Sequence, residues 1–111
     1  DVKSDIENKI VLVAIDDGEY VGSVRIEIFP DKTAYLTRFG VRVSNQNTGI
    51  GKSMMCLIDK IMKEKGVKRI SLHTGSKIIP LIRFYYGRGF YIESTETNRG
   101  YIRAKLVKEY E

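Results

Sequence analysis

Residues 9–15, Lys-Ile-Val-Leu-Val-Ala-Ile, are apolar and rich in β-branched side chains, which predicts a buried strand. Asp16-Asp17-Gly18-Glu19 follows, and Asp-Gly accepts the positive φ of a tight hairpin turn. Residues 20–29 then alternate, with Val24, Ile26 and Ile28 on one side and Arg25 and Glu27 on the other. Pro30-Asp31-Lys32 makes a second turn. A third strand is predicted over 33–43, with Tyr35, Phe39, Val41 and Val43 apolar. Three strands joined by short turns predict an antiparallel meander over 9–43.

The period then changes. Ile50, Met54, Leu57, Ile58 and Ile61 recur at spacings of three and four, one stripe of a helix over about 49–65. Thr48 stands where an N-cap would, Gly66 where a C-cap would, and Lys63 and Lys65 suit the negative pole of the helix. Met54, Met55 and Met62 read as core filler, and Cys56 as a small helix residue. A strand over 68–74, a short helix over 79–87 with Pro80 in its first turn, and a hairpin of 90–95 with 100–108 around Glu96–Gly100 complete the order. The result is β-β-β-α-β-α-β-β, an α/β fold with a mixed β-sheet, in which the strand after the first helix lies parallel to the one before it.

At 111 residues this is the length of a single domain, 1–111, with residues 1–8 as an N-terminal extension. Hydrophobic residues at 42% and charged residues at 30% suit an ordinary soluble globular chain. No apolar run approaches the roughly 20 residues of a membrane span, and no secretory leader is visible. One cysteine and one histidine argue against a disulfide and against a structural metal site, and suit a reducing, cytoplasmic setting. Residue 1 is Asp, which points to a processed product or an excised domain.

Charge is unevenly spread. Residues 1–31 carry 3 basic and 8 acidic side chains, net −5, whereas residues 32–111 carry 16 basic and 6 acidic, net +10. A basic C-terminal two-thirds implies an anionic partner such as nucleic acid, an acidic surface or a phosphorylated cofactor. The basic residues are dispersed and no nucleic-acid signature accompanies them, so the charge favours a phosphorylated cofactor over nucleic acid, and neither nucleic acid nor a membrane is the expected partner.

The segment from Val41 to Ser53 is the informative one. A strand ends, a polar turn with two glycines follows, and a helix begins. Unpaired backbone N–H groups and the positive helix pole favour a phosphate there. Three phosphate-binding patterns compete. Gly51-Lys52-Ser53 imitates a nucleotide P-loop, but Gln46 stands where that motif needs glycine. The dinucleotide fingerprint fails because Met54 replaces its third glycine. A third pattern, Gln/Arg-x-x-Gly-x-Gly/Ala, is met in full by Gln46-Asn47-Thr48-Gly49-Ile50-Gly51.

That hexapeptide resembles the acyl-CoA pyrophosphate loop of the GNAT superfamily of N-acetyltransferases. Phe84-Tyr85-Tyr86-Gly87-Arg88-Gly89-Phe90 resembles the family's Leu/Phe-Tyr-x-x-x-Gly-Phe segment, and Leu72-His73-Thr74-Gly75 resembles a strand end of one subgroup. The resemblance covers about residues 9–108. It implies the acyl-CoA N-acyltransferase fold, shortened at its front, and acetyl transfer from the cosubstrate acetyl-CoA to a primary amine by direct attack, with no metal. It implies that strands 34–43 and 68–74 splay into a V that takes pantetheine, with backbone contacts from Phe39, Gly40 and Val41. Gln46, Asn47, Thr48, Gly49, Ile50 and Gly51 would hold the pyrophosphate, with Lys52 and Ser53 nearby. Tyr85 matches the tyrosine that serves as general acid toward the leaving thiolate, chemistry that a phenol can perform.

The chain also departs from the family. Ile78 stands where many members carry an Asn that touches CoA. Residues 34–41 contain no Glu or His base, which leaves Glu27, His73 or a water chain to deprotonate the amine. The family's opening strand and two helices, which wall the acceptor site, have no counterpart ahead of Ile10; a cut parent, a wall from another chain, or a minimal form would each account for that. Two other readings stay open: a GNAT-like module that binds CoA without catalysis, and a basic nucleic-acid-binding domain. A homodimer through a sheet edge is also open, and the acceptor, a small-molecule or peptide amine, is not identified.

Overall fold

In the computed structural model, residues 8–98 and 100–110 are described, so residues 1–7 of the N-terminal extension, Arg99 and Glu111 lie outside them, and Asn8 belongs to the first strand. Six strands form one sheet in the order β1-β2-β3-β4-β6-β5. The strands are β1 (Asn8–Asp16), β2 (Glu19–Ile28), β3 (Thr33–Val41), β4 (Arg69–Gly75), β5 (Tyr91–Asn98) and β6 (Tyr101–Glu109). Helix α1 (Ile50–Glu64) connects β3 to β4, and α2 (Ile79–Gly87) connects β4 to β5. All pairings are antiparallel except β3 with β4, which the α1 crossover makes parallel.

Local chemistry accounts for these boundaries. Asp17 and Gly18 both take positive φ (54° and 79°), the geometry that closes a two-residue hairpin in step with strand twist. Pro80 sits in the first turn of α2, where its missing N–H breaks no bond. At the end of α1 the C-cap is Lys65, and Gly66 follows in the left-handed region, with the Val67 amide reaching back to the Met62 carbonyl at 2.9 Å.

Both helices pack on one face of the sheet. Met54, Met55, Ile58 and Met62 of α1 and Ile82 and Tyr85 of α2 join one cluster with Val24, Ile26, Leu36, Ile70, Leu72, Ala104 and Leu106. The helical stripe thus runs through Met55 and Met62 and leaves Leu57 on the rim, 47% exposed. Four buried side chains on α1, at about 1.5–3 kcal/mol each, hold that helix to the sheet far more strongly than its own propensity does.

The opposite face carries no helix among the described residues. Val11, Val13, Arg25, Tyr35, His73 and Lys105 occupy it, all exposed or half-buried. Strand β1 is therefore not the buried strand expected from its composition. It is an edge strand, and Val11, Val13 and Ile15 are 50–60% exposed while Ile10, Leu12 and Ala14 face the core.

One polar junction ties the far end of α1 to the last strand. Asp59 accepts hydrogen bonds from Lys108 Nζ (2.7 Å) and from the Tyr110 hydroxyl (2.7 Å), and the same ammonium donates to the carbonyl of Arg88. No described helix is long and apolar enough to cross a membrane.

Candidate functional site

Strand β3 is bent by one extra residue. Ser23 of β2 pairs with Gly40 and Arg25 pairs with Thr37, so two steps on β2 face three on β3, and Arg38 takes up the difference with φ +54°. The bend separates β3 from β4. Their parallel ladder has three rungs, Thr33–Arg69, Ala34–Ile70 and Tyr35–Ser71, whereas β4 continues alongside β6 to Gly75. Beyond Tyr35 the two strands fork, and Phe39, Gly40 and Val41 stand on the outer limb with their β4-facing backbone free of a strand partner among the described residues. The splayed V expected of this strand pair is present, opened by the bulge at Arg38.

The limb leads into the turn before α1. Gly49 caps that helix with φ +90°, a conformation that strains any residue with a Cβ. Thr48 is not the cap; its hydroxyl turns back to the carbonyl of Asn45. The first helical bond is Ser53 N–H to Gly49 carbonyl at 2.9 Å, so the amides of Ile50, Gly51 and Lys52 have no acceptor within the helix. No side chain caps them, no carboxylate sits in the first turn, and Lys52 adds a cation. These amides form an anion site by ordinary helix electrostatics. Gln46 donates from Nε2 to the Val41 carbonyl at 3.0 Å and so ties the turn to the strand end.

Fork and helix N-terminus open onto one groove of about 510 Å³ on the helix side of the sheet. Phe39, Gly40, Val41, Gln46, Asn47, Gly49, Gly51 and Lys52 line it; Thr48, Ile50 and Ser53 do not. The facing wall is Pro80, Leu81 and Phe84 of α2, which sequence reasoning missed. The available signal was the solvent-side apolar run Ile78–Leu81 at the start of that helix. The walls come close at Gly51, where a Cβ would lie 3.4 Å from the Phe84 ring.

Tyr85 lies beneath the groove, 5% exposed, among Phe39, Phe84 and Phe90 with ring centroids 5.4–6.2 Å away. Its hydroxyl has no hydrogen-bond partner among the described residues. Burial pushes this phenol up to about 12, so it keeps its proton at neutral pH and has an O–H to donate. Ile78, at the position of the family's Asn, offers no polar group.

Glu27 and His73, the two side chains weighed as bases, both project to the helix-free face. His73 Nδ1 lies 2.6 Å from the Tyr35 hydroxyl, and its Nε2 is 3.9 Å from Glu96, which is held in turn by Arg103. Burial first, and then the Arg103 charge, keep His73 below its ordinary range, against the pull of Glu96. Hydrogen bonding to Arg103 holds the Glu96 carboxyl below the usual carboxylate range. Among the described residues no three His, Cys, Asp or Glu side chains gather as a metal site would require.

Comparison with known proteins bears on this arrangement. Residues 2–90 match the Acetyltransferase (GNAT) family. The chain is 30% identical over 87 residues to a spermidine N(1)-acetyltransferase of Thermoplasma acidophilum, a match covering 78% of this chain and 53% of that protein. The crystal structure of the PaiA N-acetyltransferase of Thermoplasma acidophilum in complex with coenzyme A superimposes with a TM-score of 0.80 at 26% identity, over 92% of this chain and 61% of that one. The ribosomal-protein-S18-alanine N-acetyltransferase of Escherichia coli shares the fold, with a TM-score of 0.86 at 14% identity over 97% of this chain and 73% of the other. This chain thus spans a little over half the length of the first two relatives.

Proposed function

The chain belongs to the GNAT acetyltransferase family, and from that premise we propose that it transfers the acetyl group of acetyl-CoA to a primary amine. The observation that carries this reading is the meeting of the forked β3 limb and the uncapped N-terminus of α1 in one groove. One end of such a groove suits an extended chain with amide groups, and the other suits a diphosphate, which is how coenzyme A is built.

In this reading the CoA pyrophosphate lies on the turn from Gln46 to Gly51, held by the amides that open α1 and by Lys52. Pantetheine extends along Phe39, Gly40 and Val41, where the outer limb has no β4 partner among the described residues, and takes the place β4 would have filled. A backbone N–H on this limb polarises the thioester carbonyl and stabilises the oxyanion as the amine adds. The amine nitrogen bonds to the carbonyl carbon, the C–S bond breaks with its electron pair going to sulfur, and the nitrogen sheds one proton to solvent as the amide forms. Tyr85, protonated throughout, donates to that sulfur. Transfer is direct, in a ternary complex, which holds both reactants in place without an acyl-enzyme.

The acceptor is a small-molecule or peptide amine. Two relatives name different ones, spermidine and the alanine of a ribosomal protein, so fold likeness does not choose between them. The test is thiol release from acetyl-CoA against a panel of spermidine, free lysine and an alanine-initiated peptide. Release with at least one amine supports the reading. Tight CoA binding with no release from any amine overturns it in favour of a CoA-binding module without catalysis.

A further inference from the structure

On the helix-free face, directly past the last rung of the β3–β4 ladder, four polar side chains from four strands converge. Tyr35 comes from β3, His73 from β4, Glu96 from β5 and Arg103 from β6. Tyr35 belongs to the final rung with Ser71, and His73 is the next residue on β4 to point the same way. The pair therefore straddles the apex of the fork. Their contact is short, 2.6 Å from hydroxyl to Nδ1, and the rings are tilted 52° at 5.6 Å.

In the transfer reading above, this face is where the acceptor approaches. The proposed donor fills the groove on the helix side, so an amine reaches the thioester only through the fork from the other side. Gly40 and Val41 line both that groove and a shallow hollow on the opposite face beside Val13 and Ser23, so the outer limb borders both faces.

Every charged group facing the cluster bears on its protonation. Glu96 lies by Nε2 and pulls its proton there, which leaves the Nδ1 lone pair to accept the Tyr35 O–H. Arg103 and Lys105 of β6 oppose a positive imidazole, Glu96 favours one, and Glu27 of β2 faces Tyr35. The imidazole is accordingly neutral near pH 7 and has room for a proton, with a carboxylate ready to balance it.

Resting on the transfer reading above, we propose that Tyr35, His73 and Glu96 form the proton relay that prepares the amine. The phenol oxygen of Tyr35 takes one proton from the acceptor's ammonium as its own proton passes to His73 Nδ1. The neutral amine is then free to attack, and the imidazolium rests against Glu96 until it gives a proton to solvent past that exposed carboxylate. Tyr35 is the catalytic member, and His73 and Glu96 act through it.

The test compares kcat/KM against pH for the wild type, Tyr35→Phe and His73→Ala, using the best amine of the panel, with the His73 imidazole titrated by NMR in parallel. The relay requires the wild-type acid limb to coincide with the NMR titration of His73, at a pKa below 6.5. It requires His73→Ala and Tyr35→Phe each to lose about 100-fold or more at pH 7 with the acetyl-CoA Kd unchanged. Added imidazole should restore part of the activity of His73→Ala, which a merely structural role would not allow. Losses below threefold, or no rescue together with an unchanged acid limb, overturn the relay while wild-type turnover leaves the transfer reading standing. No wild-type turnover with any amine overturns both.

Discussion

Replacing Tyr85 by Phe tests the chemistry of the groove most directly. An ordinary thiol has a pKa of about 8.5. The buried phenol stands at about 12. Full proton transfer from phenol to thiolate is therefore uphill by about 3.5 units, or about 5 kcal/mol at 1.36 kcal/mol per unit. Tyr85 must act by donating a hydrogen bond to sulfur as charge develops, not by surrendering its proton outright. A hydrogen bond to a charged group contributes about 1.5–3 kcal/mol. Tyr85→Phe should thus lower kcat by about 10- to 150-fold while the Kd for acetyl-CoA stays within about twofold, because the bond strengthens only as the thiolate forms. The fold should tolerate the change, since the lost hydroxyl has no partner among the described residues and the ring packing is kept. Single-turnover thiol release together with calorimetry of acetyl-CoA binding reads both quantities. A loss of kcat below threefold, or a large rise in Kd with kcat intact, would refute a role at the sulfur.

The same residue makes a pH prediction. Its folded pKa, about 12, is above the ordinary 10, so the folded state holds the proton more tightly. That contribution to stability is intact below pH 10 and is lost as pH rises through 12, at about 1.4 kcal/mol per unit. Urea unfolding of wild type and Tyr85→Phe should therefore diverge between pH 10 and 12, with the variant losing less. Gly49→Val puts a β-branched residue at φ +90°, a strain of about 1–2 kcal/mol, and should weaken CoA by about 5- to 30-fold in calorimetry as the loop shifts its amides. Asp59→Ala leaves the Lys108 ammonium and the Tyr110 hydroxyl without their shared acceptor. It should cost about 2 kcal/mol, a drop of about 9 °C in Tm by differential scanning calorimetry.

Elements with strong local signals were legible in the chain. Helix α2 begins and ends where Pro80 and Gly87 indicate, and the β1–β2 turn falls on Asp17-Gly18. The run Ile10–Ile15 misled because six apolar residues in succession hide the two-residue alternation that separates an edge strand from a central one. Thr48 had the right chemistry for a cap, but its hydroxyl found the Asn45 carbonyl first, and the glycine after it met the backbone demand. Strand β5 runs further than expected, to Asn98, because the ladder continues past Glu96 through Thr97, while β6 starts at Tyr101, close to its expected start. The loop of the groove was legible because its amides belong to consecutive residues. The Tyr35–His73–Glu96 cluster was not, since its members lie 38 and 23 positions apart and meet only through the parallel β3–β4 pairing and the antiparallel β4–β6–β5 pairings, which no local pattern encodes.

The junction at Asp59 makes the segment from Lys108 to Tyr110 a guy-line for the helix that presents the anion-binding amides. A force or fusion applied just beyond Tyr110 would be transmitted through Lys108 and Asp59 into α1 and would tilt its opposite end. Labels and affinity handles therefore belong at the exposed Asp17-Gly18 hairpin, away from that line. Cys56, exposed on the same helix, is placed to report spectroscopically whether the helix has shifted.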